Sequence, residues 1–261
     1  MLKSGNMIFG AVLYNQIFQI VTAVLIGVIV VLMVRYLVIS LKEKSYHPVQ
    51  WAHFLKKNKI PEGILQLEKY YNDKVRFYNF WFQVERIKKE NIKGAFAELG
   101  VYKGETARII HTLDNTRQFH LFDTFAGFSD DDLKNESGEA ATYTSKNFAD
   151  TSEMKVLASL KGNSNIIVHK GHFPESAINL KNETYSLVNI DADLYNPISE
   201  GLNYFYPRLS PGGVIIIHDY NHKWDGAVKA VNDFAKGIPE NIIEVPDMYG
   251  TVMIIKNKII N

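Results

Sequence analysis

The apolar positions of this chain follow two regimes. From Met7 to Val34 no charged residue occurs, and from Ile17 to Val34 the only polar side chains are Gln19 and Thr22. Such a run, with no polar stripe at helical spacing, covers the roughly 30 Å of a hydrocarbon core at about 1.5 Å per residue. It predicts a transmembrane helix over about residues 11–34. A buried core helix would keep a polar stripe, and a signal peptide would show a charged front, a shorter apolar stretch and a small-x-small cleavage site. Only Lys3 precedes the span, whereas Arg35, Lys42 and Lys44 come directly after it, so the positive-inside rule places the C-terminal remainder of the chain on the cytoplasmic side.

After that span the pattern changes to short apolar runs alternating with helical spacings. The runs are Ala95 to Val101, Phe119 to Phe122, Asn165 to Val168, Tyr185 to Ile190, Val214 to Ile217, Ile242 to Val245 and Val252 to Ile255. Several are apolar without alternation, as strands buried on both faces must be. Between them, Thr106, Ile109, Ile110 and Leu113, then Ile198, Leu202, Phe205 and Leu209, then Ala227, Val228, Val231, Phe234 and Ala235 recur at helical spacing, the last group stopped by Gly237 and Pro239. The expected fold class is α/β: a Rossmann-like, doubly wound, mostly parallel sheet of seven strands. Only six residues, Pro246 to Thr251, separate the last two runs. That is too few for a crossover helix, so they form a terminal antiparallel hairpin. Ligands of such sheets lie outside the carboxyl ends of the strands, near the switch point. Ahead of the first strand, an aromatic-rich connector over residues 46–93 places Phe77, Phe80, Trp81, Val84 and Ile87 at helical spacing, a face expected to pack on the sheet. Other aromatics there, such as Trp51 and Tyr71, are left between the headgroup level of a bilayer and a ligand pocket.

Composition excludes more than it assigns. A formal net charge of +1 offers no electrostatic footprint for nucleic acid, and the absence of cysteine rules out disulfides and thiolate metal sites.

The polar residues at the strand ends carry the candidate chemistry. The first strand runs into AELGVYKGETARII, where Gly100 and Gly104 flank a turn that enters a helix and Glu98 ends the strand. Glycines let the backbone approach a ligand, and a carboxylate grips a hydroxyl or ammonium group. The spacing is GxxxG, so the nicotinamide dinucleotide fingerprint GxGxxG is not met, which disfavours an oxidoreductase or epimerase. Asp123 ends the second strand about 20 residues beyond the turn, where an acid binds ribose hydroxyls. VNIDADLYNP places Asp191 and Asp193 at the end of the fourth run, and GGVIIIHDY places His218 and Asp219 at the end of the fifth. Residues two apart on a strand share a face, so both aspartates could look into one pocket, where hard oxygen ligands suit magnesium. The plain alternative is capping of the following helix, for which Asn196 is also available.

Taken in order, AELGVYKGETA, LFDTFAGF, KGHFP, VNIDADLY and GGVIIIHDY with GAVKAVNDF resemble the macrocin-type sugar O-methyltransferases, the TylF/MycF group of class I S-adenosylmethionine enzymes, over roughly Phe82 to Ile255. The resemblance implies a methyltransferase domain over 94–261; the membrane anchor over 1–45, read from its apolar run, lies outside the match. It implies an S-adenosylmethionine site at Glu98, Gly100, Gly104, Asp123, Gly171, His172 and Asp191. It also implies a divalent metal site, magnesium or manganese, with Asp191 and Asp219 as ligands and Asp193 as general base. In one respect the chain departs: the family has two acids where His218 and Asp219 stand. If His218 coordinates, the nitrogen favours a borderline metal such as manganese, iron or zinc; if not, magnesium is held more weakly, or His218 is itself a base. His172 and His222 are read either as bases or as exposed loop residues. Thr124 to Asp150, long and acidic, is read as a lid or a solvated loop. The expected partners are a small-molecule or lipid-linked sugar acceptor and the membrane, with association into a homo-oligomer left open. The competing reading is a non-catalytic membrane scaffold on a methyltransferase-like domain.

Overall fold

The computed structural model describes residues 2–44, 47–134, 136–160, 164–180 and 182–258. Its contacts divide the chain into two units, Met1–Lys57 and Asn58–Asn261. The first unit holds α1 (Leu2–Lys44) and α2 (Val49–Lys56). Within α1, Tyr14–Leu41 has no buried residue and is long and apolar enough to cross a membrane. The side chains of Lys3, Lys42 and Lys44, on which the expected orientation rests, lie outside the described residues.

The second unit opens with α3 (Glu62–Tyr70) and α4 (Lys74–Lys89), followed by β1 (Ala95–Leu99), α5 (Glu105–Leu113), β2 (Phe119–Asp123), α6 (Glu153–Ser159), β3 (Ile166–Lys170), β4 (Tyr185–Ile190), α7 (Tyr195–Arg208), β5 (Leu209–Ile217), α8 (Asp225–Ala235), β6 (Ile243–Val245) and β7 (Thr251–Ile255). The seven strands lie in the order β3-β2-β1-β4-β5-β7-β6. All neighbours are parallel except β7, which runs antiparallel to both β5 and β6. The expected hairpin is present, but its second strand inserts between β5 and β6. β7 pairs Val252 with Ile217 and Ile254 with Ile215, and Val252, Met253 and Ile254 are all buried, so neither face is exposed there.

Side-chain alternation sorts the two layers. Ala97, Leu99, Val188, Ile190, Ile215 and Ile217 share a core with Ile198, Leu202 and Phe205 of α7 and Ala227, Ala230 and Val231 of α8. The opposite face, bearing Phe96, Glu98 and Asn189, is covered by α4 and α5. Phe77, Phe80, Trp81, Val84 and Ile87 of α4 are all buried, as their spacing foretold. α4 starts where it does because Asp73 is its N-cap: the Arg76 backbone N–H donates to Asp73 Oδ1 at 2.9 Å.

Where β2 meets β3, His120 and His169 stack with centroids 5.1 Å apart, and His120 Nδ1 lies 2.9 Å from His169 Nε2. Burial pushes both imidazoles down to about 4, and proximity to His120 adds to the effect at His169. Because these folded values lie below the unfolded value near 6.5, the unfolded chain takes up protons first as pH falls. The contribution of the neutral pair is therefore complete above about pH 6.5 and is lost between about 6.5 and 4. The thermal midpoint followed by circular dichroism should drop across that window, and drop less in His169→Gln. Equal slopes would assign the acid sensitivity to other groups.

Candidate active site

The carboxyl ends of β1, β2, β4 and β5 converge on one cavity of about 620 Å³. Gly100, Gly104, Asp123, Gly171, His172, Asp191, Asp193, His218 and Asp219 all line it.

The turn after β1 is built by its glycines and held by Asp123. Gly100 has φ +83 and Gly104 φ +76, and a Cβ added at Gly100 would lie 1.9 Å from the Asp191 carbonyl oxygen. Asp123 Oδ2 accepts the N–H groups of Val101 and Tyr102 at 2.7 and 2.8 Å, while its Oδ1 accepts that of Phe125 at 2.6 Å. The carboxylate thus sets the turn and still faces the cavity with its remaining lone pairs. Glu98 is placed otherwise than expected of a residue that grips a ligand. It is fully buried, does not line the cavity, and accepts hydrogen bonds from Thr106 Oγ1 and Asn189 Nδ2 beneath the turn. Burial pushes its carboxyl up to about 8 against those two donors.

Across the cavity lies an acid cluster. β4 ends at Ile190, so Asp191 and Asp193 stand on the turn beyond it rather than on the strand, and Asp193 takes a left-handed backbone at φ 58. Asp219 is left-handed too, at φ 63. Two non-glycine residues in that region, both lining one cavity, mark a backbone that the surrounding packing over-determines. Capping does not account for the acids: α7 begins after Leu194 with no side-chain cap from this segment. Instead the Tyr195 N–H donates to Glu136 Oε1 of the long loop at 2.8 Å.

Asp191 is gripped on both sides. Arg76 Nη2 donates to its Oδ2 at 2.9 Å, and His218 Nδ1 lies 3.0 Å from its Oδ1 and 3.0 Å from Asp219 Oδ1. Burial opposes ionisation of Asp191, but Arg76 and then His218 override it and hold the carboxyl far below the ordinary range. Burial likewise opposes charge on His218, yet Asp191 and Asp219 lift it to about 10. Asp193 is pushed well up, first by burial, then by the like charges of Asp219 and Asp191. Neither ring nitrogen of His218 makes a well-directed hydrogen bond, although the residue is buried. One ligand atom from each of Asp191, His218 and Asp219 can be chosen so that all lie within 4.8 Å of one another. The 3.0 Å separations around His218 Nδ1 suit adjacent ligands of an octahedral ion with bonds near 2.1 Å. Once His218 gives up its proton, as a metal ligand must, these donors fit a divalent cation.

The other expected residues divide. His172 donates or accepts at both nitrogens, with Asp132 Oδ2 at 2.7 Å and Glu175 Oε2 at 3.2 Å, so it is an anchored loop residue. His222 is exposed and outside the cavity lining. The 124–150 segment, apart from Asn135, which lies outside the described residues, is fastened rather than merely solvated. Glu139 N–H donates to the Lys223 carbonyl at 2.7 Å, Ser137 Oγ to Asp225 at 3.1 Å and Trp224 Nε1 to Tyr143 Oη at 3.3 Å, while Phe128 and Phe148 line the cavity.

With this geometry in place, comparison with known proteins adds a decisive match. Residues 69–253 fit the family model described as Macrocin-O-methyltransferase (TylF). The chain belongs to the macrocin O-methyltransferase family. It is an S-adenosylmethionine-dependent O-methyltransferase, as its motifs foretold. Among curated relatives, the 8-demethyl-8-(2,3-dimethoxy-alpha-L-rhamnosyl)-tetracenomycin-C 4'-O-methyltransferase of Streptomyces olivaceus is 24% identical over 188 residues, 65% of this chain and 69% of that protein. Among solved structures, the O-methyltransferase NovP superposes with a TM-score of 0.62 at 22% identity, covering 71% of this chain and 81% of its own. The calicheamicin methyltransferase CalS11 gives 0.55 at 19% identity, with 82% and 88% covered. Both likenesses show a shared fold.

The macrocin O-methyltransferase match begins at residue 69, ahead of the motifs, and so takes in Tyr71, Asp73 and Arg76. Tyr71 and Arg76 line the cavity, yet neither belongs to any motif read from the sequence. The usable signal was local: an arginine three residues past an N-capping aspartate, on the same helix as the apolar face of α4.

Proposed function

We propose that this chain is a membrane-anchored, cytoplasm-facing enzyme that methylates a sugar hydroxyl on a nucleotide-linked or lipid-linked glycan precursor, assisted by a divalent ion at Asp191, His218 and Asp219. The observation that carries the reading is that one cavity is lined both by the glycine turn with Asp123 and by the acid cluster. A curated relative named for methylating a rhamnosyl-bearing compound supports the acceptor class, and the apolar Tyr14–Leu41 helix supports the anchor.

Bound S-adenosylmethionine supplies a methyl group on a sulfonium, and a bound divalent ion lowers the pKa of a hydroxyl that touches it. The chain's own residues do the remaining work. The Gly100–Gly104 turn and Asp123 hold and orient the cofactor. Asp193, which burial makes a stronger base than a surface aspartate, takes the proton of the acceptor hydroxyl onto its carboxylate as that oxygen becomes nucleophilic. The fastened 124–150 loop acts as a lid that excludes water from the reacting atoms.

Calorimetric titration of the detergent-solubilised full chain with S-adenosylhomocysteine is expected to give micromolar binding. A folded protein that does not bind would sink the enzyme reading. The anchor is tested separately: the chain should stay in the membrane pellet after alkaline carbonate extraction, and release into the supernatant would remove it. Equal activity on a soluble nucleotide sugar with and without residues 1–45 would argue against a lipid-linked acceptor.

A further inference from the structure

Arg76 stands outside the strand-end motifs, yet it is a buried charged side chain at the cavity. Its side chain is 7% exposed, its guanidinium lies over the Phe80 ring at 5.6 Å, and Nη2 meets Asp191 Oδ2 at 2.9 Å. Stacking and ion pairing together fix the plane of the guanidinium, which a flexible point charge such as lysine would not reproduce. The two oxygens of Asp191 therefore have different duties. Oδ2 is taken by Arg76, and Oδ1 faces His218 Nδ1 and, beyond it, Asp219 Oδ1.

Arg76 is itself set by Asp73, a buried residue whose two oxygens are also divided. Oδ1 accepts the Arg76 backbone N–H at 2.9 Å, and Oδ2 accepts the Met248 N–H at 2.8 Å. Met248 belongs to the turn between β6 and β7, and the next residue, Tyr249, holds its ring 6.0 Å from that of His218. One carboxylate thus locates groups that bear on both sides of the cluster: Arg76 against Asp191, and Tyr249 against His218.

We propose that Arg76 is a positioning residue for the ion-binding face of the acid cluster: by occupying Oδ2 of Asp191 it presents Oδ1 toward the same point as His218 and Asp219, and Asp73 holds Arg76 in place to do so. This inference rests on the divalent-ion reading above. Outer partners of metal ligands orient them, and their loss typically weakens metal binding by 10- to 100-fold. α4, which precedes every strand of the sheet, is by this account a working part of the site.

The test is Mn²⁺ binding, followed by calorimetry and by the paramagnetic resonance of free Mn²⁺, on the full chain in detergent with no acceptor present. Wild type should bind, Arg76→Met should bind at least about tenfold more weakly, and Arg76→Lys should recover part of the loss. Asp73→Asn should fall between wild type and Arg76→Met. Should Arg76→Met fail to fold by circular dichroism, Arg76→Lys and Asp73→Asn carry the test, each expected to weaken binding. Affinity in the folded variants equal to or tighter than wild type would overturn the inference while leaving the divalent-ion reading intact. Wild type that does not bind Mn²⁺ would reject both.

Discussion

Asp193→Asn is expected to lower methyl transfer by about 1,000-fold, in the middle of the range that loss of a general base produces, with the fold intact. The substitution suits the question because it changes so little else. Asparagine matches aspartate in size, and it is among the few residues besides glycine that tolerate a left-handed backbone, which position 193 requires at φ 58. It also removes a like charge from a buried cluster that includes Asp191 and Asp219, so stability should hold or rise. The measurement is initial rate against thermal midpoint, with S-adenosylhomocysteine affinity as a third reading. A folded variant that binds the product-like ligand and still transfers methyl groups at more than a tenth of the wild-type rate would assign the base elsewhere, with His218 next in line.

Gly100→Ala should abolish cofactor binding and destabilise the domain enough to show in expression. Two costs add. A side chain at φ +83 costs about 1–2 kcal/mol, and the new methyl would sit 1.9 Å from the Asp191 carbonyl oxygen, a backbone atom that cannot swing away. Relief requires β1 and the turn after β4 to move apart, which breaks the 2.9 Å hydrogen bond from Asp191 N–H to the Leu99 carbonyl and displaces the acid cluster with it. Domains of this kind have only about 5–15 kcal/mol of stability to lose. Calorimetry with S-adenosylhomocysteine and a melting curve decide it: wild-type affinity in Gly100→Ala would mean that the turn is not the cofactor cradle.

Much of this architecture is legible in the order of residues, and the reason is burial. The Val214–Ile217 stretch of β5 is buried throughout, so its apolar character is unbroken and unmistakable. The antiparallel direction of the last pair comes from chain length alone. Its place inside the sheet does not, because whether β7 adds beyond β6 or slips beside β5 depends on edges that no local spacing records. The same limit applies at the site. Asp123 and the glycine turn are neighbours through β1–β2 pairing, which the strand order implies. Arg76 reaches Asp191 across 115 positions of sequence, and only the packing of α4 on the sheet brings them together. Glu136, which takes the capping task that the nearby aspartates were candidates for, comes from a loop with no periodicity to read. Glu98 misled for a simpler reason: its place at a strand end suggested reach into the pocket, whereas the pleat turns it under the turn toward Thr106 and Asn189.

The insertion of β7 between β5 and β6 also bears on biosynthesis. Chains emerge from the ribosome in order, at about 5–20 residues per second, so β5 is complete before β7 exists. Until β7 arrives, β5 is a finished apolar strand with an unpaired edge beside the half-built site. Such edges recruit other strands. The nascent enzyme is thus adhesive along that edge until β7, the last strand of the sheet to be made, pairs with β5 and covers it.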